Sequence, residues 1–158
     1  MKNMLKPAFL IALVTMAVSA FADSGHPLDQ AAGTDGPKLE IRQYRFSRHG
    51  AGYDRLVLEF ERKDHSSGEP KVWAEKQGNS ANVHVENVTL LGAIPESLIN
   101  DSFSRKSRFL GPISVNMDAA NGFSVRTAMK GGGSDVKVLW LNNPARLVID
   151  AHGHGGDV

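Results

Sequence analysis

A pair of glutamates, the six histidines and the two tryptophans are the residues whose types and spacing could do chemistry in this sequence. Glu59 and Glu61 stand two apart in Arg-Leu-Val-Leu-Glu-Phe-Glu, so on a strand they share a face and could mimic the carboxylate pair that cleaves a glycosidic bond. The competing reading is a solvated charged face, the commoner fate of strand carboxylates. Of His26, His49, His65, His84, His152 and His154, only the last two cluster. A His-x-His pair can hold a divalent metal weakly, whereas a Gly-rich end reads more simply as a mobile tail. His84 falls in an expected strand, where a satisfied structural histidine is the default. Sugar rings have apolar faces that stack on aromatic side chains, which brings in the tryptophans. Trp73 is opposite in parity to Val72 and Ala74, so it is expected to face outward as a candidate ligand residue. Trp140 shares parity with Val136 and Val138 and is expected in the core.

No G-x-S-x-G, H-E-x-x-H, G-x-x-x-x-G-K or G-x-G-x-x-G pattern occurs, and there is no cysteine to act as nucleophile, thiolate ligand or disulfide. The expectation is therefore no catalytic residue, no metal site and no cofactor.

The elements that must position these residues are short and mostly period-two. Leu39 and Ile41 begin a strand over 38–46, and Leu56, Leu58 and Phe60 line one face of another at 55–61. Residues 71–76 and 82–91 make two more, with the alternation slipping by one between Val85 and Val88, as a β-bulge would cause. Ile113, Val115 and Met117 alternate, then Phe123, Val125 and Thr127, then Val136, Val138 and Trp140. Leu147, Val148 and Ile149 are apolar on both faces, as in a strand covered on both sides. Lys130–Asp135, with Gly131, Gly132 and Gly133, reads as a hairpin connection. The pattern predicts an all-β fold, an antiparallel sandwich of about eight strands spanning residues 38–151. An irregular or short-helical insertion at about 95–110 lies over one end, and an exposed apolar patch near Ile99, Phe103 and Phe109 would favour a protein partner.

The start of the chain reads as a secretory signal. Lys2 and Lys6 precede an apolar run from Ala8 to Val18, and Ala20-Phe21-Ala22 places a cut before Asp23. The run is short for a membrane span of about 20 residues. Residues 23–37 read as a flexible leader, and 152–158 as a flexible Gly/His tail. Lys and Arg number 18 against 17 Asp and Glu; without Lys2 and Lys6 the balance is 16 to 17, with both signs interspersed. Such a chain projects no polyanion-binding field, so nucleic acid is not an expected partner.

Two segments rise above composition: Tyr-Asp-Arg-Leu-Val-Leu-Glu-Phe at 53–60 and Leu-Trp-Leu-Asn-Asn-Pro-Ala-Arg-Leu-Val-Ile-Asp at 139–150. Together they resemble the AMIN domain family of cell-wall amidases and pilus secretins. In that family a strand of the form Arg-[Val/Leu]-Val-[apolar]-Glu-[apolar] is followed by Asn/Asp-Pro-x-Arg-[Val/Leu]-Val-[apolar]-Asp. The resemblance implies a β-sandwich of the periplasm or cell envelope that binds peptidoglycan without catalytic residues of its own. Its matching positions here are Arg55, Asn143, Pro144, Arg146 and Asp150. With Trp73, the residues Arg55, Asn143, Arg146 and Asp150 form the candidate ligand set. An accessory role in docking an envelope protein, in a pilus or secretion complex, is the alternative, and a cryptic cell-wall hydrolase the remote one.

The charges in these two segments also predict a register. If 55–60 and 145–150 run antiparallel with Val57 opposite Val148, Arg55 faces Asp150 and Glu59 faces Arg146, while Leu56 meets Ile149 and Leu58 meets Leu147 in the core. Arg146 and Asp150 are about 13 Å apart along one strand, so each needs a partner across strands. Arg55, Arg146 and Asp150 either touch ligand or pair with one another.

Overall fold

The computed structural model describes residues 36–50, 52–99, 103–118 and 122–154. The expected signal peptide, most of the expected leader and the last four residues lie outside the described residues. Among those described, nine strands and one four-residue helix follow in the order β1 (Lys38–His49), β2 (Tyr53–Arg62), β3 (Lys71–Gln77), β4 (Ser80–Glu86), β5 (Thr89–Leu91), α1 (Glu96–Ile99), β6 (Leu110–Asp118), β7 (Gly122–Met129), β8 (Gly133–Asn142) and β9 (Ala145–Gly153). No helix among them is long and apolar enough to cross a membrane.

The strands form an all-β sandwich of a five-stranded sheet, β5-β1-β2-β9-β8, and a four-stranded sheet, β3-β4-β7-β6. Antiparallel hairpins alternate between the layers: β1–β2 and β8–β9 lie in the larger sheet, β3–β4 and β6–β7 in the smaller. The exception to antiparallel pairing is β5, which adds to β1 in parallel over three residues. Period-two patterning works as expected, with Leu56, Leu58, Phe60, Leu147 and Ile149 of the larger sheet packing against Val83, Val85, Phe123 and Val125 of the smaller. Each such side chain removed from water stabilises the fold by about 1.5–3 kcal/mol. Trp140 joins this core as expected, its ring centroid 5.4 Å from that of Phe60.

Several connections differ from the expectation. The slip between Val85 and Val88 is a change of sheet and not a bulge. Asn87 adopts a left-handed conformation (φ 60°), which its short polar side chain tolerates, and this turns the chain out of β4 and across to β5. The Lys130–Gly133 turn is tight, with Gly131 and Gly132 both at positive φ and the Gly133 N–H donating to the Lys130 carbonyl at 2.8 Å. It carries the chain from β7 to β8 in the other sheet, so these two strands do not pair as a hairpin. Val148 is 5 % exposed although its outer face meets no third layer among the described residues; neighbouring side chains in the row Val57–Val148–Leu139 shield it.

The domain edges also move. Gly36 and Pro37, expected in the leader, are buried, and Pro37 accepts a hydrogen bond from Thr89 N. A Cβ at Gly36 would sit 1.8 Å from the Asn87 carbonyl oxygen, so only glycine fits there. At the other end His152 and Gly153, expected in a flexible tail, complete β9.

The insertion is longer in reach than a cap over one end, because it follows the second half of β1. Phe103 packs its ring on those of Tyr44 and Phe46, at 5.8 and 6.1 Å. Phe103 and Phe109 are 2 % and 8 % exposed, so these two members of the expected exposed apolar patch are instead part of the core, while the side chain of the third, Ile99, lies outside what is described. What holds the segment down is Asp54, fully buried at the start of β2. One of its carboxylate oxygens accepts from Arg108 Nε at 3.1 Å and Nη2 at 2.5 Å, the other from Arg108 N at 2.6 Å and Ser107 Oγ at 2.9 Å. Arg48 donates to the Lys106 carbonyl, and Lys130 Nζ donates to the carbonyls of Ser104 and Ser107. Burial acts to raise the Asp54 pKa, but the donors of Arg108 and Ser107 outweigh it and hold the carboxyl below its ordinary value.

A depressed native pKa contributes stability that is present above the unfolded-state pKa and is lost as pH falls through the native one. Asp54→Ala should therefore cost on the order of 3 kcal/mol in urea unfolding at neutral pH. Part of the wild type's loss of stability below about pH 4 should disappear in the variant. Equal acid sensitivity in the two proteins would show that this carboxylate does not carry the effect.

Candidate functional site

The register predicted from charge is the one observed. β2 pairs with β9 so that Arg55 faces Asp150, Val57 faces Val148 and Glu59 faces Arg146, with Leu56 and Leu58 opposite Ile149 and Leu147 on the core side. Only one of the two expected ion pairs forms, however. Arg55 grips Asp150 with two hydrogen bonds, Nε to Oδ1 at 2.6 Å and Nη2 to Oδ2 at 2.7 Å. Its guanidinium also lies 5.3 Å from the centre of the Tyr53 ring. That ring is stacked between His49 and His152, at 4.5 and 5.3 Å.

Glu59 turns the other way. Its Oε2 accepts from Arg45 Nη2 at 3.0 Å and Gln43 Nε2 at 3.1 Å, both on β1, while Arg146 Nε donates to the Pro144 carbonyl at 3.3 Å. β2 is a central strand with neighbours on both sides, and the β1 bulge between Ile41 and Gln43 sets which β1 side chains reach Glu59. That bulge leaves no mark in the two motif segments. Glu61 is likewise committed: Lys63 donates to it at 2.9 Å and Arg42 lies at 3.0 Å. The Lys63 hydrogen bond, helped by Arg42, keeps the Glu61 carboxyl below its usual pKa. Each glutamate thus has its own cations. Among the described residues no group of three or more His, Asp or Glu side chains converges as a metal site would require.

Trp73 faces outward as expected, but from the smaller sheet. It stacks on His84 with centroids 5.0 Å apart and planes 11° from parallel. His84 Nε2 is buried without a hydrogen-bond partner, 3.8 Å from Glu75 Oε2, so this histidine is not the satisfied one expected. The five candidate ligand residues therefore divide among three places. Arg55, Arg146 and Asp150 share the outer face of the larger sheet, Trp73 lies on the outer face of the smaller one, and Asn143 stands at the β8–β9 turn.

Around that turn the protein has a cleft of about 460 Å³, lined by Phe60, Arg62, Ser67, Glu69, Asn142, Asn143, Pro144 and Ala145. The Asn143–Pro144 peptide is cis, and Ala145 pairs with Phe60, which brings the turn beside the end of β2. Side-chain bonds hold the walls in place. Trp140 Nε1 donates to Asn142 Oδ1 at 2.8 Å, Asn142 Nδ2 donates to Glu69 Oε1 at 2.8 Å, and Asn87 Nδ2 donates to the Glu69 carbonyl at 3.1 Å. Arg62 Nη1 donates to the Ser66 carbonyl at 2.7 Å, fixing the loop between β2 and β3. The volume is in the range of small-ligand sites, and guanidinium, carboxylate, carboxamide and hydroxyl groups line it together with Phe60, Pro144 and Ala145. Sequence reasoning found Asn143 but missed Arg62, Ser67, Glu69 and Asn142. The available signal was Asn142 inside the quoted motif and the turn-rich stretch 64–70; what brings them together is the alignment of two loops distant in sequence.

Compared with the models of known protein families the chain matches none, and the comparison with curated proteins likewise gives no significant match.

Double-mutant cycles in urea should separate the two expected pairs. Arg55 and Asp150 should couple by about 0.5–1 kcal/mol, reduced from a buried value by their partial exposure. Glu59 and Arg146 should couple more weakly than this, since no hydrogen bond or ion pair joins them. Coupling of Glu59 to Arg146 at the level of Arg55 to Asp150 would contradict this assignment.

Proposed function

We propose that this chain is a non-catalytic module of the bacterial cell envelope that binds peptidoglycan through the cleft beside the Asn143–Pro144 turn. The observation that carries the reading is the make-up of that cleft. Peptidoglycan offers amides, carboxylates and hydroxyls, and Arg62, Ser67, Glu69, Asn142 and Asn143 supply their hydrogen-bonding complements over Phe60, Pro144 and Ala145. The resemblance of residues 53–60 and 139–150 to the AMIN family points the same way, since that family attaches envelope proteins to the wall. The two segments lie on neighbouring strands, and the second contains the turn that walls the cleft. The signal-peptide layout of residues 1–22 fits an exported protein. The non-catalytic part is supported by Glu59 and Glu61, each engaged by its own cations.

A second reading, docking of an envelope protein by strand addition, is favoured by β6. It is an edge strand of the smaller sheet, and its Met117 is 55 % exposed.

Co-sedimentation with purified sacculi tests the first reading against the second. The exported protein should pellet with sacculi at moderate salt, and prolonged incubation should release no soluble muropeptides. Protein left in the supernatant with a folded β-type circular dichroism spectrum would remove the first reading and favour the second. Release of muropeptides, abolished at Glu59 or His84, would overturn the non-catalytic part.

A further inference from the structure

Peptidoglycan has two chemically distinct halves, neutral sugar rings and charged peptide stems, and the cleft is not equally suited to both. Sugars are bound largely by stacking a ring face on an exposed aromatic plane. The cleft's one aromatic residue cannot offer such a plane. Phe60 is 4 % exposed and its ring packs against Phe123 at 5.9 Å and Trp140 at 5.4 Å. Aromatic rings are stacked on the outer faces, Trp73 on one sheet and Tyr53 on the other, away from the cleft.

The cleft walls instead carry one charge of each sign left uncompensated. Arg62 spends Nη1 on the Ser66 carbonyl, and no carboxylate among the described residues lies within ion-pair distance of it. A guanidinium has five N–H donors in a fork matched to a carboxylate. Glu69 has Oε1 held by Asn142, and its other oxygen has no partner among the described residues. A neutral sugar would leave both charges without an ionic partner. A ligand with both a carboxylate and an amine or amide N–H answers both. The remaining groups fit the same ligand: carboxamides at Asn142 and Asn143 complement a peptide backbone, and the exposed Pro144 ring suits small methyl side chains such as alanine's.

We infer that the cleft takes the peptide stem of peptidoglycan, its carboxylate on Arg62 and its amine or N–H on Glu69, and does not take the glycan. This rests on the peptidoglycan reading above and narrows it to one half of the polymer.

The test uses the exported protein bound to sacculi, challenged with two soluble probes: the stem tetrapeptide L-Ala–γ-D-Glu–L-Lys–D-Ala and the N-acetylglucosamine tetramer. The tetrapeptide should displace the protein and the sugar tetramer should not. Direct titration of the tetrapeptide should weaken about tenfold or more in Arg62→Ala. Glu69→Gln should weaken binding of the tetrapeptide, because its amine or N–H loses the ionic acceptor. Should Arg62→Ala fail to fold, Asn143→Asp, at an exposed turn position, places a carboxylate at the mouth and should weaken the tetrapeptide similarly. Displacement by the sugar tetramer, or sacculus binding insensitive to Arg62→Ala and Asn143→Asp, would overturn the inference and leave peptidoglycan binding standing. Absence of any retention on sacculi would remove that reading itself.

Discussion

The pairing of β2 with β9 is the constraint on which the rest of this structure depends. Side chains alternate with period two, so a slip of one residue would turn Leu147 and Ile149 out to water and Asp150 into the core. The register is set from both faces: Leu56, Leu58, Leu147 and Ile149 meet inside, while Arg55 and Asp150 close a two-bond ion pair outside. The same register decides where the cleft lies. Because Phe60 stands opposite Ala145, the Asn143–Pro144 turn ends beside the last residues of β2, and Arg62 lines the same cleft as the turn. Core packing and cleft geometry are thus two consequences of one alignment.

The distribution of charge follows a consistent division. On the outer face of the larger sheet, Glu59, Glu61 and Asp150 each have a cation from a neighbouring strand, and inside, Asp54 is satisfied by Arg108 and Ser107. Such pairs at the surface contribute little individually, but they leave these carboxylates engaged before any ligand arrives. At the end of the sandwich the opposite holds: Arg62 and Glu69 spend their bonds on loop backbone and on Asn142 and keep capacity for a partner. Loops positioned by a rigid sheet are a frequent place for binding groups, and here the loop at 64–70 and the β8–β9 turn are held by hydrogen bonds before any ligand arrives.

The sandwich and the β2–β9 register were legible because both rest on local signals, alternation within strands and complementary charges in two short segments. The crossings between layers were not. Asn87 and the Gly131–Gly132 turn are recognisable as turns, but nothing local says that the next strand joins the other sheet; that is decided by which faces need burial. The role of Asp54 was hidden for a similar reason. Its partner Arg108 is 54 positions away in a segment without periodicity, and a charged residue on the core-facing parity of a strand reads as an exception until its partner is seen. Glu59 shows the limit of pairwise reasoning: its register partner was identified correctly, yet a third strand supplied its cation. The cleft was half legible. Asn143 belonged to a motif, whereas Arg62 and Glu69 acquire meaning only from the turn that lines the same cleft.

The central claim, that Glu59, Glu61 and Asp150 are already engaged on the outer face and that the end cleft is the proposed ligand site, can be tested residue by residue. Backbone amide shifts recorded by NMR while soluble muropeptides are added report every contact surface at once. The account predicts that perturbations cluster at Arg62, Ser67, Glu69, Asn142 and Asn143 and leave Arg55, Asp150 and Trp73 in place. Perturbations centred on the Arg55–Asp150 face or on Trp73, with the cleft unchanged, would contradict it.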